Sequence, residues 1–562
     1  MIFPSLIDYY NRLSSTGNVP AFGFSIEDIG FVINLTLEGN LIGSPEDLRT
    51  KIKANVYDYM PSVVPYSNRV NVRSSGAAKA PNFLVDKADY IFGMSGKSMK
   101  QVHHESYKSL INKVCYGTED PGILAVKKFL NKWDPEKSIN LPLWEEISGP
   151  HGKWIAFRLE NERCFIHERL SVKKCWSDYI AKVKYIKGFS FVEGTILPLQ
   201  QQYAQFKFGS GASLVSFNES AYESYGKKRG ENAPISVDAE FKSSTALKYL
   251  FRSKTQRLKI GDANTIFWTE RKSPIETFMG QVLNPQDDVV DNVHVQKFLE
   301  AARNGKKPQD LFYDGDVKFY IMGLSLNKAR LAVRFWHMCT VDQLKDRIGR
   351  HFNDLEMERV SERDTEFPGI WHLLKETARE TKDISPLLGG SLMRSILEGV
   401  IYPLNLYNGV LNRIRADQRI NYLRTSIIKA VLKRNFKMEV SMSLDKENME
   451  IAYLMGRLFA VLEKAQQDAI PGANATIKDR FYGAASATPA SVFPRLLRLA
   501  QHHIDKAEYG YVSDRRIAEI MDNINGFPDH MNTKQQGLFA IGYYHQRNNL
   551  FKKNESAKEG EK

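Results

Sequence analysis

The chain has few cysteines, no long apolar run and no basic residue before the first apolar stretch. Four cysteines occur among 562 residues, and no two form a C-x-x-C pair, so we expect neither a disulfide framework nor a structural zinc site. Charged residues interrupt every apolar run, whereas a membrane-spanning helix needs roughly 18 apolar residues in succession. The segment 1–10 contains Asp8 within its apolar stretch, so we expect no signal peptide and a cytoplasmic location.

Recognisable catalytic motifs are also missing. The segment Gly93–Ser98 resembles a phosphate-binding loop, but the first glycine of that motif is replaced by Ile91. The paired histidines at 103–104 and 502–503 belong to no H-E-x-x-H motif or cysteine set. We therefore expect no catalytic residues, no metal and no cofactor. A metal-dependent nuclease with carboxylate ligands dispersed along the chain remains the alternative.

Positive charge is abundant and unevenly distributed. The formal net charge is +13, which favours polyanionic partners. Residues 442–562 carry a net charge of only +1. Four windows of the preceding chain hold net charges of +5, +5, +5 and +7, in the order 66–113, 151–188, 222–259 and 394–437. Any one of these runs, taken alone, is also compatible with a solvated surface loop.

The pattern of apolar residues predicts an α+β fold. Strand-like runs occur at 31–37, 154–159, 265–269, 317–323 and 331–336. Helical periodicity dominates after about residue 345. We predict a mixed α/β N-terminal domain, a helical connecting region and an all-α C-terminal bundle, with the bounds 1–345, 346–441 and 442–562.

Within the connecting region, the residue pattern predicts one basic amphipathic helix over residues 410–436. Apolar residues recur near one stripe and cations lie largely outside it, so we expect a helix packed on the core with a charged outer face. Contact of that face with phosphates, a membrane surface or an acidic partner is the alternative. The apolar residues are Val410, Ile414, Leu423, Ile427, Val431 and Phe436, and the cations are Arg413, Arg415, Arg419, Arg424, Lys429, Lys433 and Arg434.

The C-terminal bundle has clear helix boundaries. A helix beginning near Ile451 should end before Pro471, and another should start at Thr488-Pro489, since proline is favoured at the first helical position. Thr533 and Gln536 match the capping box S/T-x-x-E/Q, which predicts a final helix that begins at Thr533 and runs through Tyr544.

Blocks along the whole chain resemble the Csd-type large subunit of Cascade, the type I-C CRISPR surveillance complex. They are the segments 2–10, 80–86, 90–93, 216–218, 222–226, 232–234, 265–268, 319–325, 330–336, 453–466 and 477–489. The resemblance implies a non-catalytic subunit that recognises the PAM beside the target in double-stranded DNA and stabilises the R-loop. The target sequence itself is then recognised by base pairing with the crRNA. It implies as partners the backbone, crRNA-end-binding and small subunits, the target duplex, the displaced strand and a separate helicase-nuclease, with no membrane partner. A scaffold that contacts only RNA and protein is a further alternative.

Two loops and one pair of arginines are the candidate nucleic-acid-binding sites. Asn82 lies in a matching block, and its amide suits a base edge, although a turn-capping role after Pro81 is the alternative. The other candidates are phosphate-binding residues near Asn82 (Arg69, Arg73 and Lys79), a second DNA-facing loop beside Tyr225 (Lys227, Lys228, Arg229 and Asn232), and a pair for RNA or a neighbouring subunit (Arg330 and Arg334).

The resemblance also implies that the C-terminal bundle can be translated separately from an internal start, which yields extra copies of a small subunit. Met442 is the expected start because it lies in the polar link before the bundle, and Met438 and Met449 are the alternatives.

Overall fold

The computed structural model describes residues 2–54, 56–66, 81–206, 211–217, 219–284, 293–306, 314–327 and 330–552. Contacts divide the chain into two compact units, each with its own apolar core. Unit 1 comprises Met1–Arg252 and Leu326–Ala332, and unit 2 comprises Ser253–Ser325 and Val333–Lys562. The predicted α+β fold, with a mixed N-terminal region and a helical C-terminal segment, is confirmed.

Unit 1 mixes short helices with several small sheets. Its helices are α1 (Ile2–Ser15), α2 (Ala88–Ile91), α3 (Gln101–Val114), α4 (Pro121–Lys132), α5 (Trp144–Ser148), α6 (Leu170–Ala181) and α7 (Val237–Arg252). Its strands are β1 (Phe24–Leu35), β2 (Glu46–Asp47), β3 (Thr50–Lys53), β4 (Val56–Asp58), β5 (Met60–Pro65), β6 (Met94–Ser95), β7 (Ser98–Met99), β8 (Trp154–Leu159), β9 (Lys187–Phe189), β10 (Ile196–Pro198), β11 (Gln205–Phe206) and β12 (Ala212–Ser213).

Strand β1 forms the centre of unit 1. It pairs antiparallel with β2 and β5 and parallel with β8, in a register that sets Ile29 opposite Met60 and Phe31 opposite Ile155. The strand is apolar over most of its length because both of its faces are buried, as is typical of a strand covered on two sides. Helix α4 packs on this sheet through Phe129, whose ring contacts that of Phe157.

Unit 2 contains one sheet and many helices. Its strands are β13 (Arg257–Ile260), β14 (Ala263–Thr269), β15 (Lys318–Asn327) and β16 (Arg330–Thr340). Its helices are α8 (Ile275–Leu283), α9 (Val293–Arg303), α10 (Val341–Leu355), α11 (Ile370–Lys375), α12 (Leu388–Glu398), α13 (Leu404–Asp417), α14 (Tyr422–Phe436), α15 (Ile451–Ala469), α16 (Ile477–Ala487), α17 (Pro489–Lys506), α18 (Gly510–Met521) and α19 (Thr533–Phe551).

The strands of unit 2 follow the order β13-β14-β15-β16, and β14 is antiparallel to both β13 and β15. The predicted strands at 317–323 and 331–336 correspond to β15 and β16. The segment Leu326–Ala332 at the tip of these two strands belongs to unit 1, where Arg330 pairs with Ser213 of β12. The chain therefore passes between the two units three times.

The predicted domain boundary at residue 345 falls inside α10, where Leu344 and Ile348 are both buried. A boundary at that position would divide a packed helix. The compact units instead divide after Arg252, between α7 and β13. Residue 441 lies outside any helix, in the segment between α14 and α15.

The prediction of one amphipathic helix over 410–436 with a charged outer face is wrong. Gln418, with a φ of +51°, ends α13, and α14 begins after Asn421 as a separate helix. Helix α14 packs against α10, α11, α13 and α19, which leaves little of its surface for solvent. Three of its cations are buried as a result, namely Arg424, Lys429 and Arg434.

Carboxylates from other helices neutralise two of these buried cations. Arg424 forms ion pairs with Glu376 at 2.7 Å and Asp417 at 2.6 Å. Arg434 Nε donates to Asp354 Oδ2 at 2.7 Å. A buried charge needs such a partner because its desolvation costs several kcal/mol. The buried arginines of α14 therefore form their ion pairs inside unit 2.

The C-terminal bundle is built around α15, which packs against α16, α17, α18 and α19. The predicted boundaries at Thr488-Pro489 and before Pro471 are confirmed. The last helix begins at Thr533 as predicted, but its capping box is displaced by one residue. Asn532, and not Thr533, is the N-cap, and it exchanges hydrogen bonds with Gln535 at 2.9 and 3.0 Å. This helix also continues past Tyr544, to Phe551.

Candidate nucleic-acid interface

The second predicted loop, residues 219–232 of unit 1, is exposed over nearly its whole length. Its tip is a tight turn in which Lys227 N donates to Ser224 O at 2.9 Å. The two central residues, Tyr225 and Gly226, have φ values of +52° and +69°, as a type I′ turn requires. Tyr225 is 98% exposed at the tip. This geometry presents an aromatic ring to solvent at the end of a short hairpin.

Asn232 holds this loop together from within. Its Oδ1 accepts from the backbone N and the Oγ of Ser224, both at 3.2 Å. Its Nδ2 donates to the carbonyl oxygens of Lys227 at 3.0 Å and Arg229 at 3.1 Å. Both ends of the amide are occupied by the loop itself. The structure therefore assigns Asn232 a positioning role within the predicted loop.

The cations of the loop are available to an external anion. Lys227, Lys228 and Arg229 are exposed, and within the described ranges none of their side chains forms an ion pair; Glu231 accepts only from the backbone N of Lys228, at 2.9 Å. Arg330 adds a fourth cation to this region, since its guanidinium lies 4.2 Å from the centre of the Tyr222 ring. We call Tyr225 together with these four cations the loop surface.

A neighbouring hairpin, β9–β10, extends the loop surface with apolar side chains. Phe189, Phe191 and Ile196 are all more than half exposed, and Phe191 reaches 69%. Lys184 and Lys187 are exposed beside them. Exposed aromatic rings next to lysines suit the stacking of unpaired bases and the binding of their phosphates.

Backbone hydrogen bonds join the hairpin to the segment just after the loop, and the loop to the segment just after the hairpin. Phe191 N donates to Pro234 O at 2.9 Å, and Gly230 N donates to Gln201 O at 3.2 Å. Sequence reasoning missed the hairpin because its alternation of apolar and polar residues is also typical of a half-buried strand. The signal in the sequence was two phenylalanines within three residues, directly after the window 151–188 of net charge +5.

The candidates near the N-terminal block are arranged differently from the loop surface. Arg69, Arg73 and Lys79 lie outside the described residues. Asn82 is described and is only 2% exposed, and its backbone N donates to Asp86 Oδ2 at 2.7 Å. An amide in this position contacts the interior of unit 1, so it would have to leave that interior to meet a base edge.

The backbone around Asn82 is tightly held. Asp86 is fully buried, and its carboxylate also accepts from Lys87 N at 2.8 Å, at the start of α2. Leu84 has a φ of +61°, which is uncommon for a residue other than glycine and needs support from its surroundings. These contacts favour the turn-forming alternative for Asn82 over the base-reading one.

Arg334, the second arginine of the predicted pair, belongs to unit 2. Its Nε donates to Asp262 Oδ2 at 3.1 Å, and its Nη2 to the same oxygen at 2.5 Å. This ion pair is half-buried, so Arg334 already has an anionic partner inside its own unit. The two arginines are thus in different units and have different environments.

A stripe of basic residues runs along α17 in the C-terminal bundle. Arg495, Arg498, His502 and Lys506 are exposed at spacings of three, four and four residues, which places them on one face of the helix. At 1.5 Å per residue the stripe is roughly 16 Å long. In the described chain, neither arginine nor the lysine forms an ion pair with a carboxylate. The near-neutral bundle therefore has one basic face.

Metal sites and membrane spans are two other kinds of feature that the fold could contain. Among the described residues, no group of three or more His, Cys, Asp or Glu side chains is placed to hold a metal ion. No described helix has the length and apolar character needed to cross a membrane.

Comparison with known families gives one match. The family model described as CRISPR-associated protein (Cas_Csd1) matches residues 6–551, which is nearly the whole chain. A search of curated proteins finds no match.

Proposed function

Because the chain belongs to the Csd1 family of CRISPR-associated proteins, we propose that it is the large, non-catalytic subunit of a crRNA-guided type I-C surveillance complex. In this role it recognises the PAM in double-stranded DNA, stabilises the R-loop and helps to recruit a separate helicase-nuclease. The observation that carries the proposal is the loop surface, where the exposed Tyr225 and three cations share one loop and a fourth cation, Arg330, lies against Tyr222 of that loop. Within the described residues, none of these four side chains forms an ion pair.

The loop surface suits DNA for two physical reasons. Lys227, Lys228 and Arg229 can each replace a condensed counterion on a phosphate, and the release of those ions drives binding. Arg229 can also donate two parallel hydrogen bonds to O6 and N7 of guanine, which is the commonest specific contact in the major groove. We therefore favour Arg229 over the buried Asn82 as the described side chain that reads a base.

The hairpin β9–β10 and the α17 stripe suit single strands. Phe189 and Phe191 offer ring faces to bases that have left the duplex, and each base stacked in this way contributes about 1–3 kcal/mol. The α17 stripe offers a line of cations roughly 16 Å long, which can follow the backbone of an unpaired strand. These surfaces support a role in holding the strands of the R-loop apart.

The test is duplex binding by the reconstituted guide-RNA complex over a PAM library and a salt series, with the triple variant Lys227→Gln/Lys228→Gln/Arg229→Gln. We expect weaker PAM-dependent binding and a log–log salt slope reduced by about 0.9 for each phosphate that the variant no longer neutralises. A control variant, Lys51→Gln/Lys53→Gln/Lys174→Gln, removes the same charge from exposed positions elsewhere in unit 1.

Unchanged PAM preference in the triple variant, and in a complex that lacks this chain altogether, would contradict the proposal and leave an assembly scaffold that contacts only RNA and protein. Divalent-metal-dependent cleavage of DNA by the purified chain, abolished by substitution of one carboxylate, would instead assign it to the nuclease class.

We also propose that translation from Met442 produces a separate small subunit. Helices α15–α19 all follow Met442, which lies 45% exposed in the segment between α14 and α15. We expect two products on expression, with the smaller one lost in Met442→Leu. Persistence of the small product in that variant would move the start to Met438 or Met449.

A further inference from the structure

Three helices of unit 2 end around one cleft. The C-terminal turns of α9, α10 and α14 surround a space of about 580 Å³. Five cations line it, namely Arg303, Arg350, Lys433, Arg434 and Lys437. We call this space the three-helix cleft. It is separate from the loop surface, which belongs to unit 1.

The carboxylates of the cleft neutralise only part of this charge. Asp354 is buried and pairs with Arg434 at 2.7 Å and with Lys433 at 3.5 Å. Asp346 lies 3.2 Å from Lys345, a lysine that does not line the cleft, and the third carboxylate, Glu439, is exposed. Arg303 pairs with Glu366, a carboxylate that does not line the cleft either. Three carboxylates and five cations line the cleft, so the lining has a formal net charge of +2.

Among the described residues, two cationic side chains of the cleft and one N–H group of a third have no hydrogen-bond or ion-pair partner. Arg350 and Lys437 are exposed and form no ion pair within the part of the chain that is described. Arg434 is 2% exposed, and its Nη2 is buried without a hydrogen-bond acceptor, although Nε and Nη1 are both bonded. A buried N–H without an acceptor is unfavourable, so Arg434 can still gain a hydrogen bond from an anion.

We propose that the three-helix cleft binds the phosphate group of a nucleotide. A guanidinium and an ammonium that are free to move, beside a fixed buried guanidinium, form the kind of cluster that recognises phosphate oxygens. The volume lies within the 300–1,000 Å³ range typical of small-molecule sites, which is more than a bare phosphate fills. That the nucleotide belongs to a nucleic-acid strand, and is not a free ligand, rests on the proposed function.

A different explanation for the same cations is the helix ends themselves. The C-terminus of a helix carries a partial negative charge of about half a unit, and cations in the last turn stabilise it. On this explanation the loss of Arg350 or Lys437 would lower the stability of unit 2. On the phosphate-binding explanation their loss would lower affinity for a ligand and leave stability unchanged.

The experiment measures ligand binding and thermal unfolding of the full chain. Thymidine 5′-monophosphate and thymidine are the first pair of probes, since they differ only in the phosphate, and a fluorescein-labelled oligothymidylate is the second probe. The cleft variant is Arg350→Gln/Lys437→Gln. A further variant, Arg350→Lys, keeps the positive charge at position 350 and tests whether charge alone is enough for binding. The matched control is Arg379→Gln/Lys446→Gln, which removes two exposed cations of unit 2 outside the cleft.

We expect the wild-type chain to prefer the monophosphate to thymidine, and the cleft variant to weaken monophosphate binding about tenfold or more while Tm and the control stay unchanged. A parallel loss of oligothymidylate binding would assign the phosphate to a strand, whereas unchanged oligothymidylate binding would assign the cleft to a free nucleotide. No preference for the monophosphate, equal affinity in the cleft variant, or a lower Tm without a change in affinity would overturn the proposal. PAM-dependent binding by the complex is measured separately, so a failure of the proposed function and a failure of nucleotide binding by the cleft give different results.

Discussion

Two runs of positive charge that look alike in the sequence have opposite environments in the fold. The loop 219–232 of unit 1 exposes Lys227, Lys228 and Arg229 to solvent, whereas α14 of unit 2 buries Arg424 and Arg434 against carboxylates. Two of these carboxylates, Glu376 and Asp354, lie 48 and 80 residues from their arginines, and the third, Asp417, lies seven residues from Arg424. The comparison teaches that the count of cations in a window does not decide what they bind, because carboxylates elsewhere in the sequence can already neutralise them.

The two environments differ in what the removal of a cation costs. An exposed lysine is well hydrated, so its removal leaves the fold almost unchanged. A buried arginine has exchanged its hydration for ion pairs with carboxylates, and its removal leaves a carboxylate without its main partner.

The largest expected effect follows from the Arg434–Asp354 pair. Arg434→Met should lower the free energy of unfolding by about 3–5 kcal/mol, because Asp354 would keep only the more distant Lys433. Lys228→Met in the loop should change it by less than about 0.5 kcal/mol. Urea denaturation of both variants measures the contrast, and similar losses in the two would remove the distinction between the regions.

The next effect is a loss of stability in mild acid, to which buried histidines of both units contribute. In unit 1, burial lowers the pKa of His167 to about 3. Burial lowers the pKa of His351 to about 3 and that of His545 to about 4, against an ordinary value of 6.5. Between pH 6.5 and 4 the unfolded chain therefore binds more protons than the folded one, so stability falls as the pH falls. At pH 5 each histidine should cost about 2 kcal/mol relative to pH 7.

Replacement of one of these histidines checks this pH dependence. His545→Gln should reduce the difference between the urea midpoints at pH 7 and pH 5, and the exposed His502→Gln should leave that difference as it is in the wild type. If both variants keep the full difference, the acid sensitivity has another source.

A smaller effect concerns the exposed ring of the loop. Tyr225→Ala should weaken binding of unpaired DNA by about 1–3 kcal/mol if the ring stacks on a base. Tyr225→Phe should retain most of the affinity, since the ring and not the hydroxyl makes the contact. Fluorescence anisotropy with a labelled oligonucleotide gives both values, and equal affinity for all three proteins would exclude stacking by this ring.

The smallest effect tests the positioning role of Asn232. Asn232→Ala removes four hydrogen bonds inside an exposed loop. We expect DNA affinity to fall by about 1 kcal/mol, because the loop cations lose their fixed arrangement, while the urea midpoint stays constant. Asn18→Ala, a change of an exposed amide elsewhere in unit 1, is the control. A lower urea midpoint in Asn232→Ala alone would mean that the loop contributes to the core of unit 1.

The elements that the sequence predicted well are those decided by local pattern. Strands β8, β15 and β16 and the start of α17 follow from apolar alternation and from a proline at the first helical turn. The exposed loop also followed from its glycines and its run of three cations. These features depend on neighbours within a few residues.

The features that were missed depend on distant residues or on fine geometry. The burial of Arg424 and Arg434 requires Glu376 and Asp354, which lie 48 and 80 residues away in the sequence. Asn532 and Thr533 are both suitable N-cap residues, and only the backbone conformation selects Asn532.

The base-reading hypothesis for Asn82 had the same weakness. An amide after a proline suits both a base edge and a turn, and the chemistry of the residue does not separate the two. The burial of Asn82 and the hydrogen bond from its backbone N to the carboxylate of Asp86 favour the turn. A hydrogen bond of this kind cannot be read from the types of the residues alone.

The short tip of the β15–β16 hairpin has a consequence at the level of the gene. Because Leu326–Ala332 belongs to unit 1, neither unit is encoded by one uninterrupted stretch of codons. A recombination event that moved codons 1–252 alone would leave part of unit 1 behind. The helices α15–α19, in contrast, follow one another without interruption by any other element. Unlike either unit, the C-terminal bundle is thus encoded by one uninterrupted stretch of codons, which a single recombination event can transfer.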